Sequence, residues 1–501
     1  MFDINALLLK DYYKACHSEM LNKGMTQSVS YFTPRKSRIP EWTTAVFFGL
    51  QAFIKNHLID DFNRTFFSKS ETEVIAEYTR ILDNTFGKGI YSIDKIKNLH
   101  RLGYLPIEII ALPEGTEVPM GCPMFGMTNT HPDFAWLPQA LESVISACIW
   151  KPIIAAKVGH EYRKIVDKFY GLTCDDNVPR NRALGNFDFR GDDGIEDSLF
   201  CASGWLLSFV NTATVAAVPY MERYYNCDCE KEAVGFGAVS TEHFVMCSNY
   251  VADGNDERPF LKRLLTELYP NNSFSCVCDS YDYWNMVDNI IPSLHKEIME
   301  HNGTFLVRGD SGDPVEIVTK TVFKLWKEFG GTVNSKGYKV LDPHVKALYG
   351  DSITMRRAEQ IYQILMDNSF AAQNVSLGVG SFSMHCLETE DEKGNVTLNP
   401  FTRDTFSACI KACDTVIDGM EYPIFKDPKT DKSAGGGYFK KSHKGCIRVA
   451  RKSDGTLCWA DNQTWEDVQT DNLLTPVFKN GRMLTELSLS DIRNRLNNNK
   501  F

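Results

Sequence analysis

Short apolar runs that stop abruptly on charged residues and glycines recur through the middle of the chain. Thr304-Phe-Leu-Val-Arg308-Gly309-Asp310-Ser311-Gly312-Asp313-Pro314 is the clearest, and Phe274-Ser-Cys-Val-Cys-Asp279-Ser-Tyr-Asp282, Val345-Lys-Ala-Leu-Tyr-Gly350-Asp351-Ser352 and Val375-Ser-Leu-Gly378-Val-Gly380-Ser381 follow the same plan. An unbroken apolar run is what a strand buried on both faces requires, so each reads as a buried strand delivering polar groups to a cleft. From about 180 to 425 such segments alternate with helical ones, the pattern of βα units around a parallel sheet or barrel. In such folds ligands meet the carboxyl ends of the strands, where these Asp, Gly and Arg residues fall.

Elsewhere the periodicity changes. Val46–Lys55 has apolar positions three and four apart and predicts an amphipathic helix; 63–102 and 138–170 also predict helix. Leu105–Gly115 followed by Pro123–Asn129 predicts a small β module with Pro and Gly turns. Thr389–Pro400 is a polar insertion expected to form a surface hairpin or lid, and Lys426–Gly437 predicts a mobile loop carrying three lysines.

The length of 501 residues argues for two lobes, and 43% hydrophobic with 24% charged residues argues for an ordinary soluble globular protein. A net charge of −10 argues against a general nucleic-acid binder, so cations that hold an anion must be clustered locally. The fifteen cysteines include no C-x-x-C, and Cys276 and Cys278 lack the second ligand pair of a structural zinc site, so reduced thiols are expected. With an early acid at Asp3, a four-residue apolar core before Asp11 and no run of 18 apolar residues, neither a signal peptide nor a membrane span is expected; the expected location is cytoplasmic.

Arg190, Arg308, Arg403, Lys411 and Lys426, several beside glycine-rich turns, would together suit a polyphosphate, whereas any one of them alone could be a surface ion pair. Asp279, Asp310 and Asp351 could accept from sugar hydroxyls or hold Mg²⁺, or each could merely cap the next helix; capping is the reading for Asp313, ahead of a proline. His243, next to Glu242, reads as either a structural histidine or a base or nucleophile at a strand end.

Blocks spread along nearly the whole chain, among them Leu8–Lys14, Ser30-Tyr31-Phe32, Phe48–Gln51, Leu105–Glu108, Thr241-Glu242-His243, Asp279–Asp282, Asn334–Lys339 and Val477–Gly481, resemble the nicotinamide phosphoribosyltransferase family. The resemblance implies a type II phosphoribosyltransferase fold: an N-terminal α+β lobe over 1–175, a barrel-like α/β catalytic lobe over 176–400, and a C-terminal segment over 401–501 that completes the second lobe, built from both termini, and the phosphate end of the site. It implies a homodimer with shared active sites, nicotinamide and phosphoribosyl pyrophosphate as substrates, Mg²⁺ as cofactor, and ATP as a coupled co-substrate. Phe187 would stack on the pyridine ring, with Tyr13 of a second copy opposite. Arg190, Arg308 and His243 would form the catalytic pyrophosphate side, with His243 the phosphorylated residue. Asp279 and Asp310 would serve ribose hydroxyls and metal, and Gly309, between Arg308 and Asp310, would also line the substrate site. Gly350, Asp351, Gly380, Ser381, Arg403, Lys411 and Lys426, with Lys432, would line the phosphate end.

Three departures accompany the resemblance. Ala213 stands where the family has an aspartate for the nicotinamide amide, which opens a nicotinate-type specificity unless Thr212 or water substitutes. Ser381 and Phe382 replace glycines of the phosphate loop, and the insertion near 385–400 follows them. These suggest an alternative, larger donor such as ADP-ribose 1-pyrophosphate, with Phe382 on the adenine and NAD as product. A non-catalytic adhesion role for Arg308-Gly309-Asp310 is disfavoured by the buried strand that precedes it.

Overall fold

The computed structural model describes residues 3–391, 393–429, 442–499 and 501, and the chain divides into two compact units. One comprises residues 1–154, 221–227 and 402–500; the other comprises 155–220, 228–401 and 501.

The first unit is built on a seven-stranded antiparallel sheet in the order Met420–Pro423, Cys409–Ile417, Met25–Thr33, Phe125–Asn129, Ile107–Ala111, Thr475–Lys479, Arg482–Met483. Strands from both termini therefore share one ladder, as expected of an α+β lobe assembled from the two ends of the chain. The β module between 105 and 129 forms, and helices Glu71–Thr85 and Ile93–Leu102 fill the region predicted helical. The expectation for Val46–Lys55 needs correction. Thr44–Val46 is a strand, and the helix starts only at Leu50, after Gly49 takes the left-handed φ of 103°. The buried Glu114 carboxylate accepts from the Gly49 and Gln51 amides at 3.0 and 2.6 Å, so a group 63 residues downstream sets this helix start. Such a long-range cap leaves no trace in local periodicity.

The second unit carries seven parallel strands, here β1 (Leu184–Asn186), β2 (Asn211–Thr212), β3 (Val239–Ser240), β4 (Phe274–Val277), β5 (Phe305–Gly309), β6 (Val345–Tyr349) and β7 (Val375–Val379). Their spatial order is β2-β1-β7-β6-β5-β4-β3. Residues 236–240 link the two edges, because Phe236 bridges Asn211 of β2 while Val239 and Ser240 pair with β4. The sheet is thus curled into a barrel-like α/β lobe. Phe274, Cys276, Phe305, Val307, Ala347, Val375 and Leu377 are all buried, which explains the near-continuous apolar runs. Helices Pro314–Phe329 and Met355–Asp367 follow β5 and β6. The polar insertion is a two-stranded hairpin, Cys386–Glu390 with Val396–Pro400. The expected mobile loop at 426–437, with Lys432, lies mostly outside the described residues.

Two glycines separate crowding from propensity. A Cβ on Gly378 would sit 2.6 Å from both the Gly350 carbonyl oxygen and Phe187 Cδ2, whereas one on Gly171, in helix Glu142–Thr173, would meet nothing within 4 Å. Gly378→Ala is expected to destabilise by about 1–3 kcal/mol, and Gly171→Ala to stabilise by about 1 kcal/mol, both read from urea midpoints.

Candidate active site

A parallel sheet places every strand's carboxyl end on one edge, and in the second unit that edge gathers most of the residues singled out by sequence. Phe187 follows β1. Its ring lies on two residues that have no side chain: a Cβ on Gly185 would come 2.9 Å from it, and one on Gly378 2.6 Å. The ring is nonetheless 39% exposed, so one face rests on backbone and the remainder is open to a planar ligand. The neighbouring Ala213 amide donates to the Asn186 carbonyl at 2.9 Å, which puts Ala213 beside the Phe187 segment. Thr212 does not readily take over the amide-binding role, because its hydroxyl contacts Asn186 Oδ1 at 3.4 Å and accepts from the Thr214 amide at 3.1 Å.

At the ends of β4 and β5 the polar groups form one network. Arg308 Nε and Nη2 grip Asp310 Oδ2 at 3.2 and 2.7 Å, while Nη1 donates to Ser240 Oγ at 2.8 Å and the Thr241 carbonyl at 3.2 Å. Asp279 Oδ2 accepts from the Asp310 amide at 3.1 Å and from Ser311 Oγ at 2.6 Å, and its Oδ1 meets His243 Nε2 at 3.0 Å. Burial would raise the Asp279 pKa, but hydrogen bonds from Ser311, His243 and the Asp310 amide outweigh it and hold the carboxyl below the usual aspartate range. The 3% exposed carboxylate fixes the orientation of a half-exposed imidazole. Because the ionised Asp279 can only accept, Nε2 is the donor in this contact, which leaves Nδ1 as the ring nitrogen not engaged by it.

The strand-end carboxylates are not helix caps. Asp282, Asp313 and Thr354 cap the helices that follow β4, β5 and β6, in keeping with the capping reading of Asp313. Asp310 Oδ1 is buried without a hydrogen-bond partner, 2.0 Å from where a Gly350 Cβ would lie. Asp351 Oδ1 similarly approaches to 2.2 Å from a Cβ on Gly380, and Ser381 Oγ to 2.2 Å from one on Gly191. A Cβ at Gly350, Gly380 or Gly191 would therefore force the facing polar side chain to shift. Arg190, next to Gly191, is exposed and has no ion-pair partner among the described residues. Arg308 and Asp310 are bonded to each other and only 18% and 20% exposed, which is not the splayed pair an adhesion loop presents.

Tyr13, Arg403, Lys411 and Lys426 belong to the first unit. Tyr13 is 54% exposed, Arg403 pairs with Asp404 at 3.2 Å, Lys411 pairs with Glu142 at 2.6 Å, and the Lys426 amide donates to Ser442 Oγ at 2.8 Å. Sequence reasoning missed Ser240, Thr241 and Ser311 as partners of Arg308 and Asp279. Ser311 was adjacent to the strand-end motif; Ser240 and Thr241 are 68 and 67 residues from Arg308 and carry no local signal.

Similarity to known proteins runs along nearly the whole chain. The model of the nicotinate phosphoribosyltransferase family matches residues 206–482, and that of the nicotinamide phosphoribosyltransferase N-terminal domain matches residues 5–109. The nicotinamide phosphoribosyltransferase of Acinetobacter baylyi is 36% identical over 99% of this chain and 97% of its own length. Its counterpart from Xanthomonas campestris pv. campestris is 28% identical over 98% and 97%. Among solved structures, nicotinate-nucleotide pyrophosphorylase from Pyrococcus furiosus aligns over 99% of this chain and 95% of its own, with TM-score 0.58 and 14% identity. Human nicotinic acid phosphoribosyltransferase aligns over 98% and 93%, with TM-score 0.57 and 15% identity. At those identities the structural likeness speaks for the fold.

The Asp279 network has a pH signature. Because the folded pKa lies below the unfolded value of 3.8, the unfolded chain takes up the proton first as pH falls. The carboxylate's contribution is therefore complete above 3.8 and is lost as pH drops through the lower folded value. The urea-midpoint gap between the unaltered protein and Asp279→Asn should be widest near neutrality and shrink in acid; a gap that widens in acid would contradict the assignment.

Proposed function

The chain belongs to the nicotinamide phosphoribosyltransferase family, and from that premise we propose that it joins nicotinamide to phosphoribosyl pyrophosphate, giving nicotinamide mononucleotide and pyrophosphate in NAD salvage. The observation that carries this reading is the open Phe187 ring on the same sheet edge as the Arg308–Asp310 pair: a flat base has a stacking surface and an anionic donor has its cation.

The ring nitrogen of nicotinamide attacks C1 of the ribose as the C1–pyrophosphate bond breaks, so positive character grows on the sugar and negative charge on the leaving group. Phe187 holds the base in line. Arg308, kept rigid by Asp310, Ser240 and Thr241, and the unpaired Arg190 stabilise the departing pyrophosphate more than the intact donor. The donor set suits a Mg²⁺ held mainly by substrate oxygens: Asp310 offers one uncommitted buried carboxylate oxygen, while Asp279 is engaged by protein donors on both oxygens. When bound, that ion would supply charge neutralisation at the pyrophosphate. His243, oriented through Nε2 by Asp279 and half exposed, is suited to accept a phosphoryl group from ATP on its other ring nitrogen, a coupling that would add negative charge beside the leaving-group site. In the active assembly a second copy of the chain would supply Tyr13 to the opposite face of the base.

A second reading of the donor is favoured by one observation. Phe382, just past β7, is 47% exposed and precedes the hairpin 386–400, so an aromatic face is available for the adenine of ADP-ribose 1-pyrophosphate. Purified protein given nicotinamide or nicotinate with each donor in turn, with products resolved by mass, separates the readings. Nicotinamide mononucleotide from the smaller donor is the expected product; NAD formed only from the larger donor would replace that reading, and no pyridine nucleotide from any pair would end both.

Phe187→Ala should raise KM for nicotinamide by about tenfold, the equivalent of roughly 1.5 kcal/mol of stacking. Arg308→Ala should lower kcat by about 100-fold or more, as loss of a preorganised anion partner does. Steady-state kinetics on both variants check the division of labour.

A further inference from the structure

Asp192, Asp197, Cys201 and His385 converge so closely that one ligand atom from each lies within 4.8 Å of all the others. His385 Nε2 stands 3.0 Å from Asp192 Oδ1 and 3.3 Å from Asp197 Oδ2. Asp197 and Cys201 are four apart on helix Ile195–Trp205 and so share a face, Asp192 lies just before that helix, and His385 ends helix Ser381–His385. None of these residues belongs to the base or pyrophosphate set.

An observation independent of the clustering points to a cation ligand, and a second buried acid adds to the negative charge there. The Asp192 side chain is 0% exposed, has no lysine or arginine partner among the described residues, and leaves its buried Oδ2 without any hydrogen-bond partner. Asp188, 1% exposed with Asn186 as its hydrogen-bonding neighbour, is close enough to Asp192 and His385 to feel their charges and adds a second buried acid beside Asp192. Buried carboxylates are normally paired or coordinate a metal. Asp197 Oδ2 also accepts from the Asp193 amide at 3.0 Å, so the carboxylate oxygen left without a hydrogen bond in the cluster is Asp192 Oδ2.

We propose that Asp192, Asp197, Cys201 and His385 form a binding site for a borderline divalent transition metal, of which Zn²⁺ is the natural occupant. Imidazole, thiolate and two carboxylates make a four-coordinate N/S/O set, and a thiol with an imidazole selects against Mg²⁺. Bound there, the ion joins the segment after Arg190 to the segment that carries Ser381, two stretches already in contact where Gly191 meets Ser381. Its work is structural: it fixes the positions of Arg190 and Ser381 at the sheet edge. The proposal does not depend on the transferase reading.

The test uses the full chain, stripped with a chelator and titrated with Zn²⁺ by calorimetry and with Co²⁺ by absorption. One equivalent of each is expected, Co²⁺ giving the intense ligand-field bands of a four-coordinate site and a sulfur-to-metal charge-transfer band. His385→Gln and Asp192→Asn should each weaken Zn²⁺ binding at least about tenfold, with circular dichroism verifying that both fold. Cys201→Ser should abolish the charge-transfer band while metal is still bound, and persistence of the band would remove Cys201 from the ligand set. Failure to take up an equivalent of either ion, or affinities unchanged in both His385→Gln and Asp192→Asn, would overturn the site.

Discussion

The second unit's chemistry depends on the parallel ladder of β4, β5, β6 and β7. Hydrogen bonding in one direction, with Phe305 paired to Phe274 on one side and to Val345 on the other, brings all four strands to the same edge at their carboxyl ends. Residues 279, 310, 351 and 381 become neighbours through that register alone. The strands' side chains are buried almost throughout, so the polar groups are confined to where the strands stop, and a one-residue slip would carry them into the core.

At this edge two physical devices replace flexible loops. Glycines at 185, 191, 350, 378 and 380 let side chains press directly on backbone, so Phe187 and the carboxylates are positioned by contact. Asp279 is the hub of the polar half: its two oxygens tie His243, Ser311 and the Asp310 amide together, and Asp310 in turn holds Arg308. The cost of burying that carboxylate is offset by hydrogen bonds to its charged form, so the imidazole and the guanidinium are preorganised before a donor arrives.

Much of this was legible in the amino-acid sequence, for a definable reason. Strands buried on both faces must be apolar until they end, so the runs closing on Asp279, Asp310, Asp351 and Ser381 marked the edge directly. The reading was weaker where partners are remote. Glu114 capping the helix at Leu50 displaced its predicted start from Val46, and the meeting of Asp192 with His385, 193 residues apart, has no local signature. Ala213 was identified as a departure, and the structure places it beside the aromatic platform, with the Thr212 hydroxyl engaged by Asn186 and the Thr214 amide.

The account stands or falls on whether the Phe187 face receives the base. A crystal structure of the protein with nicotinamide bound tests this most directly. The pyridine ring is expected to lie parallel to the Phe187 ring at van der Waals distance, about 3.5–4 Å, with Arg308 beyond its ring-nitrogen end. A fully occupied nicotinamide found away from Phe187, with the aromatic face left to solvent, would contradict the central claim.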